Sequence, residues 1–268
     1  MGVTSGVTGA VNGYSTVRKW MIEDTIEESE LLTLSNTSAG QVSEGGVTDW
    51  KGYFIGKGHT PGVFPGDALS FSGDIGNGTG KSGTAICEVL DITGDVERNH
   101  AIEYNVRFSG NGVLASHTTP VTDSTACAFY LPTSLAVYFG STKLTDTRYW
   151  RLILKNATRP YVSSETAAGR KRNRGAMTGG FIVKSYFDDP TTLPTVGSYY
   201  TTKFYVTDTT FWQVGYCRVM KVEDLGADHD SEENVGVTIS GVFSAWNNGT
   251  ALGSIIDPAV ATKWPFAA

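Results

Sequence analysis

The chain is short of nearly every pattern that reactive chemistry needs. Its 268 residues hold four histidines, His59, His100, His117 and His229, with no HxH or HExxH spacing to bring two nitrogens to one metal. No Gly-x-Ser-x-Gly elbow occurs, and no nucleophile stands at a usable spacing from a base. We therefore expect no catalytic residue, no metal and no cofactor. The three cysteines, Cys87, Cys127 and Cys217, make neither a CxxC pair nor an even framework, which argues for buried thiols over a disulfide. The opening residues MGVTSGVTGAVNGYST lack the basic and apolar regions of a signal peptide. No apolar run reaches the roughly 18 residues of a membrane helix. The expectation is a soluble chain made in a reducing cytoplasm, with no membrane partner. Charged residues are only 18% of the chain and the net charge is −6, which argues against nucleic-acid binding as the main activity.

What the chain does have is glycine (32 residues), many Thr and Ser, 11% aromatics and frequent turn signals, the composition of an all-β protein. Ala101 to Phe108 alternates cleanly, with Ile102, Tyr104, Val106 and Phe108 on one face and Glu103, Asn105 and Arg107 on the other. Thr84 to Ile92 is its expected hairpin partner. Phe211 to Val222 and Asn234 to Phe243 repeat that arrangement around an acidic loop, Glu223 to Glu233. The Glu-rich stretch Ile22 to Leu34 is read as able to hold a short helix.

The same landmarks occur twice. Trp20 and Trp150 (150 − 20 = 130 positions apart) each follow an arginine, Arg18 or Arg148, by two residues. Lys51-Gly52-Tyr53-Phe54-Ile55 parallels Thr178-Gly179-Gly180-Phe181-Ile182, Cys87 parallels Cys217, and Ser109-Gly110 parallels Ser240-Gly241, all in the same order. This repetition predicts two related modules, residues 1–126 and residues 127–268, a natural plan for rings and arrays. Residues 1–126 carry 15 acidic and 7 basic side chains, net −8, and residues 127–268 carry 12 acidic and 14 basic, net +2. Opposite signs would favour unlike neighbours if modules alternate around a ring.

Three local clusters invite a chemical reading. Gly76-Asn77-Gly78-Thr79-Gly80-Lys81-Ser82 has one residue too few for a phosphate-binding loop and leads into a strand, so it is read as a hairpin loop. Asp228-His229-Asp230-Ser231-Glu232-Glu233 lacks the donor spacing and glycine of a calcium loop and is read as an exposed hairpin tip. Arg170, Lys171, Arg172 and Arg174 make the one dense basic cluster; with no aromatics interleaved, a contact or solvated loop is favoured over nucleic acid.

The runs Val47-Thr48-Asp49-Trp50-Lys51-Gly52-Tyr53-Phe54, Pro65-Gly66-Asp67-Ala68-Leu69-Ser70-Phe71-Ser72-Gly73 and Gly94-Asp95-Val96-Glu97, the last leading into Ile102 to Gly112, resemble the tail tube (major tail) proteins of long-tailed bacteriophages. The resemblance implies β-sandwich or barrel-like modules, here two in tandem, whose long hairpins complete an inter-subunit β-barrel lining a smooth, acidic channel. It implies a homo-oligomer in stacked rings, other tail proteins as partners, transient passage of DNA, and a place in the virion tail after assembly in the host cytoplasm. Two modules per chain would make the ring a trimeric pseudo-hexamer. Glu88, Asp91, Glu103 and Arg107 are candidates for the channel wall or adjoining hairpin contacts, and Arg170, Lys171, Arg172 and Arg174 for a subunit contact with the acidic first module. A trimeric capsid decoration protein is the alternative within a virion, and a carbohydrate-binding or hydrolytic tail protein the alternative of another class.

Overall fold

In the computed structural model the chain is all-β, with no helix among the described residues. Those are residues 2–6, 11, 17–31, 42–58, 63–75, 79–96, 100–118, 135–162, 169–186, 193–207, 211–224, 236–243, 254–257 and 260–265. The first half supplies β1 (Gly2–Gly6), β2 (Val17–Leu31), β3 (Val42–Lys57), β4 (Ala68–Asp74), β5 (Gly80–Asp95), β6 (His100–Gly110) and β7 (Ala115–His117). The second supplies β8 (Val137–Phe139), β9 (Thr142–Leu144), β10 (Thr147–Asn156), β11 (Arg159–Tyr161), β12 (Lys171–Asn173), β13 (Met177–Tyr186), β14 (Tyr199–Tyr205), β15 (Phe211–Asp224), β16 (Gly236–Phe243), β17 (Ser254–Asp257) and β18 (Val260–Pro265).

Apart from β11 and β12, which pair with each other, these strands join one sheet whose main path runs β1-β2-β3-β6-β5-β10-β13-β16-β15-β14-β8-β9. Among the described residues the path does not close on itself into a barrel. The expected hairpins are present as β5–β6 and β15–β16, although the loop joining the second, with its acidic cluster, lies outside the described residues. The glycine-rich loop between β4 and β5 is described only at its edges; the strands on either side pair as a hairpin, Asp74 opposite Gly80. Ile22 to Leu31 is strand rather than helix. The Glu-rich composition suits a helix in isolation, but β2 pairs with β3 from Val17 to Leu31, and that non-local ladder overrides local preference.

The order β2-β3-β6-β5-β4 recurs as β10-β13-β16-β15-β14. If Trp20 is set on Trp150, the ladders carry the correspondence from strand to strand. Trp20 faces Phe54 and Trp150 faces Val183; Phe54 faces Val106 and Val183 faces Ile239; Val106 faces Leu90 and Ile239 faces Val222. Two independent features agree. A turn, Phe64 to Asp67, places Gly66 at φ 92° beside Cys87, and Thr195 to Ser198 places Gly197 at φ 86° beside Val219; Cys87 and Val219 each accept from the turn glycine N–H. A bulge follows in each case, between Cys87 and Val89 and between Val219 and Lys221.

This corrects the expected landmarks. Cys87 corresponds to Val219 rather than Cys217, and Phe54 to Val183 rather than Phe181. Each shift is two residues, one pleat repeat, so inward residues still match inward residues and sequence periodicity cannot detect the slip. The true register has its own signature. Gly52 lies opposite Phe108, whereas Phe181 lies opposite Gly241, so the glycine and aromatic have exchanged strands. A Cβ on Gly52 would stand 2.8 Å from the Phe108 ring, and one on Gly241 would stand 2.5 Å from the Phe181 ring.

The core draws on both halves as one cluster. Trp20, Trp50, Trp150 and Trp212 are each no more than 1% exposed. Trp20 meets Phe71 edge-on at 5.7 Å, and Trp150 packs on Phe204 at 5.8 Å. Phe64, from the first half, packs on Trp212 of the second at 5.8 Å, so the halves share apolar surface as well as a ladder.

Candidate assembly interface

The two halves meet at a seam where β5 and β10 run antiparallel, from Val89 opposite Lys155 to Asp95 opposite Tyr149. On the outward face Arg151 crosses it, donating from Nε to Asp91 Oδ1 at 2.9 Å and from Nη2 to Oδ2 at 2.5 Å. This fork matches both carboxylate oxygens, and the hydrogen bond to Asp91 raises the Arg151 pKa further above its ordinary value. Burial raises that of neighbouring Tyr149. At the end of the seam Val96 N–H donates to Arg148 O at 2.8 Å, and the Arg148 guanidinium lies 4.9 Å from the Tyr186 ring centre.

All four hairpin candidates lie on β5 and β6, in the seam region. Asp91 and Glu103 line a depression of about 440 Å³ together with Asn105, Tyr149, Arg151 and Lys184. Glu88 and Arg107 line a second, of about 460 Å³, with Glu23, Lys51 and Tyr53. Glu88 accepts a hydrogen bond from Thr158, and Glu103 is 3.3 Å from Arg18. Arg107 is exposed. Glu23 pairs across strands with Lys51 at 3.3 Å. This face therefore mixes signs, and the acidic balance of the first half is not concentrated on it.

The basic cluster has a specific partner inside the chain. Arg172 Nη2 donates to Asp49 Oδ2 at 2.8 Å and Arg170 Nη1 lies 3.5 Å from the same oxygen, while Asp49 Oδ1 accepts from Trp50 N–H at 2.9 Å. The Arg172 side chain is 9% exposed. Its second guanidinium nitrogen donates to Gly110 O, and its backbone N–H to Asn111 Oδ1 at 2.9 Å. Backbone bonds from Arg170 N–H to Thr48 O (3.0 Å) and from Gly112 N–H to Arg170 O (2.9 Å) hold the strand in place. Two of the four candidate contact residues thus join the second half to the first within one molecule, leaving Lys171 and Arg174 exposed. Sequence reasoning missed Asp49, a single carboxylate whose only local signal is its place before Trp50.

Cys87 and Cys217 are free, buried thiols. Burial raises both pKa values, that of Cys217 to about 12, so neither is a nucleophile at neutral pH. His117 bonds to Gly73 O and lies 3.4 Å from Ser72 Oγ, tying β7 to β4. Among the described residues no group of three His, Cys, Asp or Glu side chains could hold a metal ion, and no helix is long and apolar enough to cross a membrane. The chain matches no protein-family model and no curated protein.

Proposed function

We propose that the chain is a structural, non-enzymatic virion protein whose copies form the stacked rings of a phage tail tube, through which DNA passes during ejection. The observation that supports this reading is the seam. Two halves with one strand order already join edge to edge into a single sheet, which is the step a ring wall repeats. Three such chains, alternating first and second modules, would supply a six-module wall joined edge to edge. A polar face of mixed sign suits transient passage of DNA, since it offers no dense basic track for phosphate. The partners in this reading are further copies of the chain and other tail proteins, in a virion assembled in the host cytoplasm.

Negative-stain images of the purified protein, with native mass spectrometry, test the reading. Rings and tubes with three chains per ring are the expected result. Six chains per ring would overturn the alternating arrangement, and trimers that assemble only on capsids would favour a decoration protein instead.

A further inference from the structure

The correspondence between β5 and β15 exposes one difference. The N-terminal half of β5 is flanked by β4 and β7, and its C-terminal half by β6 and β10. On β15 the first three have counterparts, in β14, β17 and β16. Val219 is held on its second side by the Gly197–Ser198 turn, but beyond the bulge nothing among the described residues takes the place of β10, so the stretch Lys221–Asp224 has a partner on one side only. The counterpart of β10 is β2, and the edge of β2 away from β3 is held by β1, from Gly2 opposite Asp24 to Gly6 opposite Trp20. That is the stretch of β2 matching the part of β10 that pairs with β5, Trp150 to Leu154.

We infer that β1 is a placeholder for the C-terminal half of β15 from a second copy of this chain, displaced when the copies join head to tail. The inference rests on the ring reading for its setting but on the seam for its geometry. At the seam Asp91 lies opposite Ile153. Their counterparts are Glu223 and Glu23, so Glu223 of one copy faces Glu23 of the next, both with their side chains on the polar face. Each carboxylate arrives already paired, Glu223 with Lys221 and Glu23 with Lys51, so the joint brings together two pairs of opposite charge rather than two bare acids. The placeholder is weak by composition. Gly2-Val3-Thr4-Ser5-Gly6 has glycine at both ends, whereas Lys221-Val222-Glu223-Asp224 contains none. The replacement is a domain-swap-like exchange in which backbone pairing is conserved and a strand without glycine takes the place of one bounded by two.

Two measurements test this. Glu23→Cys and Glu223→Cys are made in separate proteins and mixed under mild oxidation; a covalent dimer is expected in the mixture and in neither protein alone. Second, Val3→Pro with Thr4→Pro removes both backbone donors, one of which must face β2 because successive residues point to alternate sides. It should raise the assembly rate roughly tenfold. No mixed crosslink, or a double-proline protein that assembles no faster, overturns the inference. Rings without the crosslink would leave the tube reading standing and sink this pairing; the crosslink without rings would do the reverse.

Discussion

The C-terminal halves of β5 and β15 are one strand in two settings. Each follows a turn with a left-handed glycine and a bulge, and each pairs on one side with a long antiparallel partner. On its other side β5 meets β10, while no strand pairs with Lys221 to Asp224 there among the described residues. The contrast separates what a strand is from what it joins. Alternation, bulge and turn are local and recur in both halves, but the second neighbour is a choice made across the fold. Where that choice is made within the chain, it is reinforced by polar contacts that have no counterpart among the described residues of the open edge, namely the Arg151–Asp91 fork and the Arg170/Arg172–Asp49 cluster.

The largest break in the comparison should come from that cluster. Asp49→Ala leaves the Arg172 guanidinium, 9% exposed, without its carboxylate and is expected to cost about 3 kcal/mol. Chemical denaturation measures this, and Asp49→Ala combined with Arg172→Met should recover most of the loss. A double variant as unstable as the single one would mean that packing, not the pair, joins the halves. Next comes the seam itself. A Cβ on Gly94 would lie 2.9 Å from both Trp150 Cε2 and Leu135 Cδ1, so Gly94→Ala should destabilise by roughly 1–3 kcal/mol, read from the same transition. No loss of stability would show that β10 can move away from β5 without penalty.

The smallest expected effect sharpens the comparison at the matched tryptophans. Trp150 Nε1 donates to Tyr205 O at 3.2 Å, while the buried Trp20 Nε1 has no partner among the described residues. Trp150→Phe should therefore cost about 1 kcal/mol more than Trp20→Phe, since both lose similar ring area and only one loses a hydrogen bond. Equal losses would show that the Trp150 bond contributes nothing to stability.

Much of the fold was legible from residues alone. Ile102, Tyr104, Val106 and Phe108 announced the inward face of β6, and all four are no more than 1% exposed. Trp20 and Trp150 marked the recurrence. The register was not legible, because a two-residue slip leaves inward and outward faces unchanged; the ladders, the matched turns and bulges, and the exchanged Gly52–Phe108 and Phe181–Gly241 pairs identify it. Nor was β2 legible beyond Ile22, where a Glu-rich segment reads as helix until β3 pairs with it.

For the candidate interface the division is sharper. Asp91, Glu103 and Arg107 could be placed on the polar sides of their strands from pattern alone, whereas Glu88, three residues from Asp91, shares that face only through the bulge between Cys87 and Val89; the basic run at Arg170 to Arg174 stood out by charge. That Asp91 belongs to Arg151, that Arg172 belongs to Asp49, and that β5 continues into β10 while β15 ends at an open edge, only the tertiary structure decided. Alternation, turns and composition act over a few residues and are written in order along the chain. Edge pairing and charge pairing join residues about 60 to 120 positions apart, and a carboxylate's partner depends on which strands the sheet brings side by side.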